Sequence, residues 1–298
     1  MKSSGKSWRL LLTLETEAAP KLLVSPIFIF LVAVTVFPTI YAVITSLQYY
    51  FLSEPYNKHF SGLANYRFML TDARFWGSLK TTLLFMAASI CFEMIAGVIL
   101  ALLMSRKFFG SGLAKTLFLL PTITTPVVVG LIWVMMFDPQ FGIINYLLDQ
   151  LGFAPQAWLS GTHSAIWAVI GVDVWEWTPY VALVVLAGLQ SLPDEPYEAA
   201  TVDGATNLQK FWHLTLPLIK PYLVIAFVFR FMDLFRWFDT IYVMTKGGPG
   251  TTTETLNMFG YLTGFNFMNV GYAASIGITM LFMITFVSKF VINLSRKG

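Results

Sequence analysis

The sequence predicts an all-α polytopic membrane protein with six transmembrane helices, and three observations carry that prediction. Hydrophobic residues make up 56% of the 298-residue chain and charged residues 12%. With a mean hydropathy of +0.68, so much apolar surface cannot be hidden inside a soluble globule of this length. Six stretches reach the roughly 20 residues needed to cross a hydrocarbon core about 30 Å thick. Between the fourth and fifth lies a polar segment of alanines, acids, one glycine and prolines that reads as two short helices bent at the glycine.

The first stretch, about 22–47, follows a basic N-terminal tail over 1–21. Its apolar run outlasts a signal-peptide core and no small-residue cleavage site closes it, so it is expected to be a retained span. The others are expected at about 79–104, 113–137, 165–190, 222–244 and 272–294, with a tail at 295–298. No internal repeat or low-complexity linker divides them, so residues 22–294 form one membrane domain. With the N-terminus inside, twelve of the nineteen Lys and Arg fall on the N-terminal side of the bilayer, five on the other and two within the fifth span. The positive-inside rule then places both termini and the loop at 191–221 in the cytoplasm.

Several chemistries are excluded. The single cysteine, Cys91, sits in an apolar run and reads as an inert packed residue. His59, His163 and His213 stand in loops without companions at metal-ligand spacing, so no metal site is expected. Gly5, Lys6 and Ser7 imitate the end of a phosphate-binding loop, but the glycine required five positions earlier would precede residue 1. Neither a nucleophile and base pair nor a nucleic-acid motif is recognisable. The chain is expected to be non-catalytic and to bind no cofactor itself.

In the loop, Pro193, Asp194, Glu195 and Pro196 end the fourth span and start a helix whose N-terminal dipole favours acids. Gly204 ends that helix. Thr206 or Asn207 caps a second one, which carries Leu208, Phe211 and Trp212 until Pro217 and Pro221 turn the chain into the membrane. Ala199, Ala200, Gly204 and Ala205 let a partner's backbone approach closely, and Glu198 offers a charge to an arginine on that partner. The competing reading, an amphipathic hairpin on the membrane surface, explains Phe211 and Trp212 but not the clustered small residues.

The spacing Glu198, Ala199, Ala200, Asp203, Gly204, Ala205, then Leu216 and Pro217, resembles the cytoplasmic Glu-Ala-Ala loop of binding-protein-dependent ABC importer permeases. The likeness extends along the chain. Pro26, Pro38, Phe60, Gly62, Asn65, Tyr66 and Glu93 resemble the carbohydrate-uptake branch, as do Phe238, Asp239, Ile241, Tyr242, Gly247, Gly248, Pro249, Thr255, Leu256 and Tyr272. The set is similar to the first permease of maltose and glycerol-3-phosphate type importers, with Leu214 where isoleucine is usual. The resemblance implies a coupling loop docking an ATPase subunit, a second permease subunit, two copies of that ATPase, which uses ATP and Mg, and an extracytoplasmic solute-binding protein. It implies a bacterial inner-membrane location and a sugar, oligosaccharide or polyol as solute.

Charges inside the spans carry the remaining information, because each costs at least about 2.5–3.5 kcal/mol at the bilayer centre and needs a partner or water. The fifth span presents Arg230, Asp233, Arg236 and Asp239, an alternating series in which successive members can pair. Steps of three residues rotate the last about half a turn from the first, so the series must face different neighbours. Glu93, Asp173 and Glu176 are candidate acceptors. Trp175, Trp177, Tyr180, Trp237 and Phe238 supply ring faces beside the charges, suited either to a sugar pathway or to helix packing. Two functional classes compete: an ATP-driven importer subunit, and a self-contained ion-coupled transporter using the intramembrane carboxylates.

Overall fold

The computed structural model describes residues 18–106 and 110–295. Gly5, Lys6 and Ser7, the basic residues Lys2, Arg9, Lys107, Arg296 and Lys297, and most of both tails lie outside the described residues. Among the described residues five helices are long and apolar enough to cross a bilayer, and a sixth span is present if one sharply bent pair is counted as a unit.

Helix α1 (Ala18–Ser46) is apolar on every side and exposed along nearly its whole length, as a helix facing lipid requires. It packs on the last helix, α13 (Val270–Ser295). A short antiparallel pair, β1 (Gln48–Tyr49) and β2 (His59–Phe60), sets Gln48 opposite Phe60. Asn65 fixes its base by donating to the carbonyls of Ser46 and Gln48 at 2.8 and 2.9 Å, and the Ser46 and Tyr66 hydroxyls meet at 2.8 Å. After α2 (Ala64–Thr71), Asp72 caps α3 (Ala73–Ser105) by accepting from the Arg74 amide at 2.9 Å.

Beyond the short α6 (Ile143–Gln150), the centre of the bundle is α3 against α7 (Ser164–Gln190), with α10 (Leu216–Phe235) packed on both. Gly97 on α3 makes the close approach possible, since a Cβ there would lie 2.6 Å from Val181 Cγ1 on α7. Gly77, on the same helix, has nothing within 4 Å of such a Cβ. Gly97→Val is therefore expected to cost about 1–3 kcal/mol by overpacking, while Gly77→Val changes stability little. Thermal unfolding of the two variants in detergent checks this, and equal losses would refute the close contact.

Three sequence expectations are corrected. The third span is not one helix over 113–137. It is α4 (Ser111–Ile123) and α5 (Pro126–Met136), bent by 97°. Pro126 has no N–H and disfavours helical geometry in the residue before it, and both Thr124 and Thr125 are extended, with ψ of 142° and 140°. The fifth span is not 222–244 either. The loop's second helix, α9 (Asn207–Lys210), runs through a π turn (Phe211–Thr215) directly into α10, so Pro217 and Pro221 do not redirect the chain. The π turn accommodates Pro217, which cannot donate to the preceding turn. At its other end α10 stops at Phe235, and Asp239 begins a separate short helix, α11 (Asp239–Met244). Finally, Cys91 is exposed on the outer face of α3 and is not a packed core residue.

The segment after α11 is tied down by a buried carboxylate. Glu254 accepts from Arg74 Nε and Nη2 at 2.8 and 2.6 Å and from the Ser78 hydroxyl at 3.0 Å. Just beyond it, the Leu256 amide, at the start of α12 (Leu256–Tyr261), donates to Thr82 Oγ1 at 2.8 Å. Lys246 and Gly247, with φ of 52° and 88°, provide the reversal that puts Glu254 under the α3 N-terminus.

Candidate functional site

Two regions collect the residues singled out in the sequence, one at the loop and one between the broken helices. The first short loop helix is α8 (Glu195–Val202), with Pro196 in its first turn and Glu195 and Glu198 against its positive N-terminal end. Gly204 closes it in the left-handed region (φ 77°), donating to the Thr201 carbonyl at 3.1 Å while Ala205 donates to Ala200 at 2.9 Å. Thr206 then caps α9 in a reciprocal arrangement with Gln209. Lys210 Nζ donates to Thr201 Oγ1 at 2.7 Å and the Tyr197 hydroxyl to Thr215 Oγ1 at 3.0 Å, which holds the two helices at a fixed angle.

That angle opens a groove of about 370 Å³, lined by Ala200, Asp203, Gly204 and Ala205 from one helix end and by Gln209, Lys210 and His213 from the other. Glu198 and Ala199 are exposed on the adjoining surface and do not line it. His213 lies in the π turn, not in a loop. The groove is rigidly joined to the membrane helices. A Cβ on Gly188, at the end of α7, would lie 2.6 Å from the Tyr222 ring on α10, and the Ser191 and Tyr222 hydroxyls meet at 2.8 Å.

The second region is built around Arg230, fully buried on α10. Its Nε and Nη2 donate to the two oxygens of Glu93 on α3 at 2.7 and 2.8 Å, Nη2 also reaches Asp173 on α7 at 3.0 Å, and Nη1 donates to Asp233 at 2.8 Å. One guanidinium thus joins three helices. The Trp177 ring covers it at 4.6 Å and Trp237 stands at 5.9 Å. The helical pair expected between Arg230 and Asp233 is present but is only one arm of this hub. Asp233 also meets Arg236 at 3.5 Å, and the Arg236 side chain is 70% exposed.

Beside the hub lies a cavity of about 420 Å³. Its walls are the two helix breaks: Thr122, Thr124 and Pro126 where α4 gives way to α5, and Arg236, Trp237, Phe238 and Asp239 where α10 gives way to α11. Glu176, Trp177 and Asp233 complete it. Interrupted helices leave backbone groups that must be buried in protein or line an aqueous space. The breaks hold each other, as α5 and α11 pack together and the Thr240 hydroxyl donates to the Pro126 carbonyl at 3.4 Å. Pro179 interrupts the α7 ladder one turn on, and the Glu176 carbonyl takes the Thr122 hydroxyl at 2.6 Å. Both side-chain oxygens of Glu176, and the indole nitrogens of Trp177 and Trp237, are buried without a hydrogen-bond partner. Buried groups of this kind ordinarily find one.

The structure therefore brings together Glu93, Asp173, Arg230, Asp233, Trp177 and Trp237 at the hub, and Glu176, Arg236 and Asp239 around the adjoining cavity. Trp175 stands apart from both, on another face of α7 and edge-on to Trp133 at 5.4 Å, whereas Tyr180 borders the hub, its ring edge-on to Trp177 at 6.1 Å and packed on Phe229 at 4.9 Å. Thr122 and Thr124 were not among the expected site residues. Their signal was the proline spacing, Pro121 and Pro126 around three threonines, which announces a break. Glu254 was missed because its partner Arg74 is distant in sequence.

Residues 93–297 match the family described as binding-protein-dependent transport system inner membrane components. The trehalose/maltose transport system permease protein MalF of Thermococcus litoralis is 37% identical over 238 residues, covering 80% of this chain and 79% of that protein. The arabinooligosaccharides transport system permease protein AraP of Bacillus subtilis is 32% identical over 297 residues, 99% of this chain and 93% of the relative. Among solved structures, one chain of a bacterial ABC transporter involved in the import of the acidic polysaccharide alginate superposes with a TM-score of 0.83 over 97% of this chain and 99% of its own length. At 21% identity that likeness concerns the fold. The loop pattern, the six-span helical fold and these matches agree, and the chain belongs to the family of binding-protein-dependent transport system inner membrane components.

Proposed function

We propose that this ABC permease subunit imports a sugar, oligosaccharide, polyol or related solute, and that the loop groove is where an ATPase subunit docks. The observation that carries the reading is the groove itself: small residues around a left-handed glycine, rigidly continuous with α10 and hence with the Arg230 hub and the cavity. ATP binding closes a pair of ATPase subunits, and their grip on Ala200 to Ala205 tilts α9 and α10 as one lever. Because the hub ties α10 to α3 and α7, the bundle moves together, and the cavity at the helix breaks is exposed alternately to either side. The working assembly comprises this chain, a second permease, two ATPase copies that use ATP and Mg, and an extracytoplasmic solute-binding protein. Both termini and the groove face the cytoplasm, in keeping with the distribution of basic residues. Sugar-transport names among relatives more than 30% identical support the solute class.

Purification from native membrane should yield the chain with a second permease and an ATPase, and the chain alone should hydrolyse no ATP. Solute uptake by the isolated chain in liposomes, driven by a proton or sodium gradient, would overturn the reading in favour of an ion-coupled transporter.

A further inference from the structure

We propose that the Arg230 hub holds a bound proton, shared between Glu93 and Asp173 with the Asp173 carboxyl as its donor, so that the cluster tying α3, α7 and α10 together carries no net charge. The inference concerns the helix framework and holds whatever solute is carried.

The hydrogen bonds locate the proton. Glu93 takes the two-pronged contact, one guanidinium nitrogen at each oxygen, at 2.7 and 2.8 Å. Asp173 is left with Nη2 alone, which it shares with Glu93, at 3.0 and 3.1 Å from its two oxygens. An ionised carboxylate offers about four acceptor sites, yet Arg230 is the only cation that reaches this one among the described residues, and the group is fully buried. The Glu93 and Asp173 carboxyls also lie within hydrogen-bonding reach of each other. Two carboxylates cannot bond without a proton between them, and like charges so close in a buried site do not both ionise. A protonated Asp173 meets both requirements, since its O–H donates to Glu93 while its carbonyl oxygen accepts from Nη2.

The surrounding charges lead to the same count. Asp233 lies between two guanidiniums, Arg230 at 2.8 Å and Arg236 at 3.5 Å, and balances Arg236. Glu93 balances Arg230. A proton on Asp173 therefore brings two arginines and three carboxyls to zero, in a place where Arg230, Glu93 and Asp173 are all fully buried and a residual charge would be costly. The other titratable groups around the hub, Glu176 and Tyr180 on α7 and Asp239 at the adjoining cavity, bring no positive charge. A tie of this kind shifts with its three helices through the bilayer interior without needing a counter-ion.

Infrared difference spectroscopy reads the proton. Wild type, Asp173→Asn and Asp233→Asn are each purified as the complex with the partner subunits, in an ester-free detergent at neutral pH. Subtracting Asp173→Asn from wild type is expected to leave the C=O band of a protonated carboxyl, whereas subtracting Asp233→Asn should leave carboxylate bands only. Labelling the aspartate carboxyls with carbon-13 should move the acid band to lower frequency, which places the proton on Asp173. An amide mimics the neutral acid, donating to Glu93 and accepting from Nη2, so Asp173→Asn should unfold within about 2 °C of wild type, against a fall of at least about 6 °C for Arg230→Ala. Carboxylate bands in the Asp173→Asn difference would overturn the proposal, as would a fall in midpoint close to that of Arg230→Ala or failure of the Asp173→Asn complex to assemble. An acid band unmoved by the aspartate label would overturn the assignment of Asp173 as donor.

Discussion

Arg230→Ala is expected to destabilise the assembled protein by about 3–5 kcal/mol, the range for stripping one partner from a buried ion pair. The guanidinium is the only cation within bonding distance of Glu93 and Asp173 among the described residues, and both carboxylates are fully buried. Without it they face each other across the α3–α7–α10 contact with no compensation. The informative companion is Glu93→Gln, because Glu93 makes the two-pronged contact at 2.7 and 2.8 Å. Asp233 makes one 2.8 Å contact and is partly exposed, so Asp233→Ala should cost markedly less. A double-mutant cycle on Arg230→Ala and Glu93→Gln, read by thermal unfolding of the purified complex, should give a double variant milder than the two single losses added together. Strict additivity would refute the hub. Normal stability with lost uptake would move Arg230 from the bundle's framework to the solute path.

Gly204→Glu is expected to reduce uptake at least about tenfold at unchanged membrane abundance, with loss of the ATPase from the purified complex. Two effects separate here. The φ of 77° strains any residue with a Cβ, which costs about 1–2 kcal/mol. A Cβ itself meets nothing within 4 Å, so the site has room in this chain and only an approaching partner is obstructed. Gly204→Ala should therefore show the mild strain alone and keep most coupling, while the glutamate projects charge and bulk beside the groove. Association and uptake are compared for both variants against wild type. Full coupling in Gly204→Glu would remove the docking role from this turn.

The turn at Gly204 is legible in the amino-acid sequence because its determinants are local. Gly204 after Ala199 and Ala200, and Thr206 three residues before Gln209, specify a helix stop and a helix start within one short window. The charged region was legible only as a set of residues without their pairing. Spacing three along one helix suggested Arg230 with Asp233 and Arg236 with Asp239. The structure gives Arg230 mainly to Glu93 and Asp173, 137 and 57 positions away, and puts Asp239 on another helix. Hydropathy could not detect that change of helix, because Trp237, Phe238, Ile241 and Tyr242 keep the window apolar across the break.

Composition, and contacts a few residues apart, suffice for the membrane class, the approximate six spans and the helix–turn–helix at Gly204. Helix packing settles the rest: which carboxylates share Arg230, where the third and fifth spans break, and that those breaks enclose one cavity with Glu176 unpartnered in its wall. Pairing across helices depends on the rotation and depth at which α3, α7 and α10 meet. Close contacts such as Gly97 against Val181 set both, and no periodicity along a single helix encodes them.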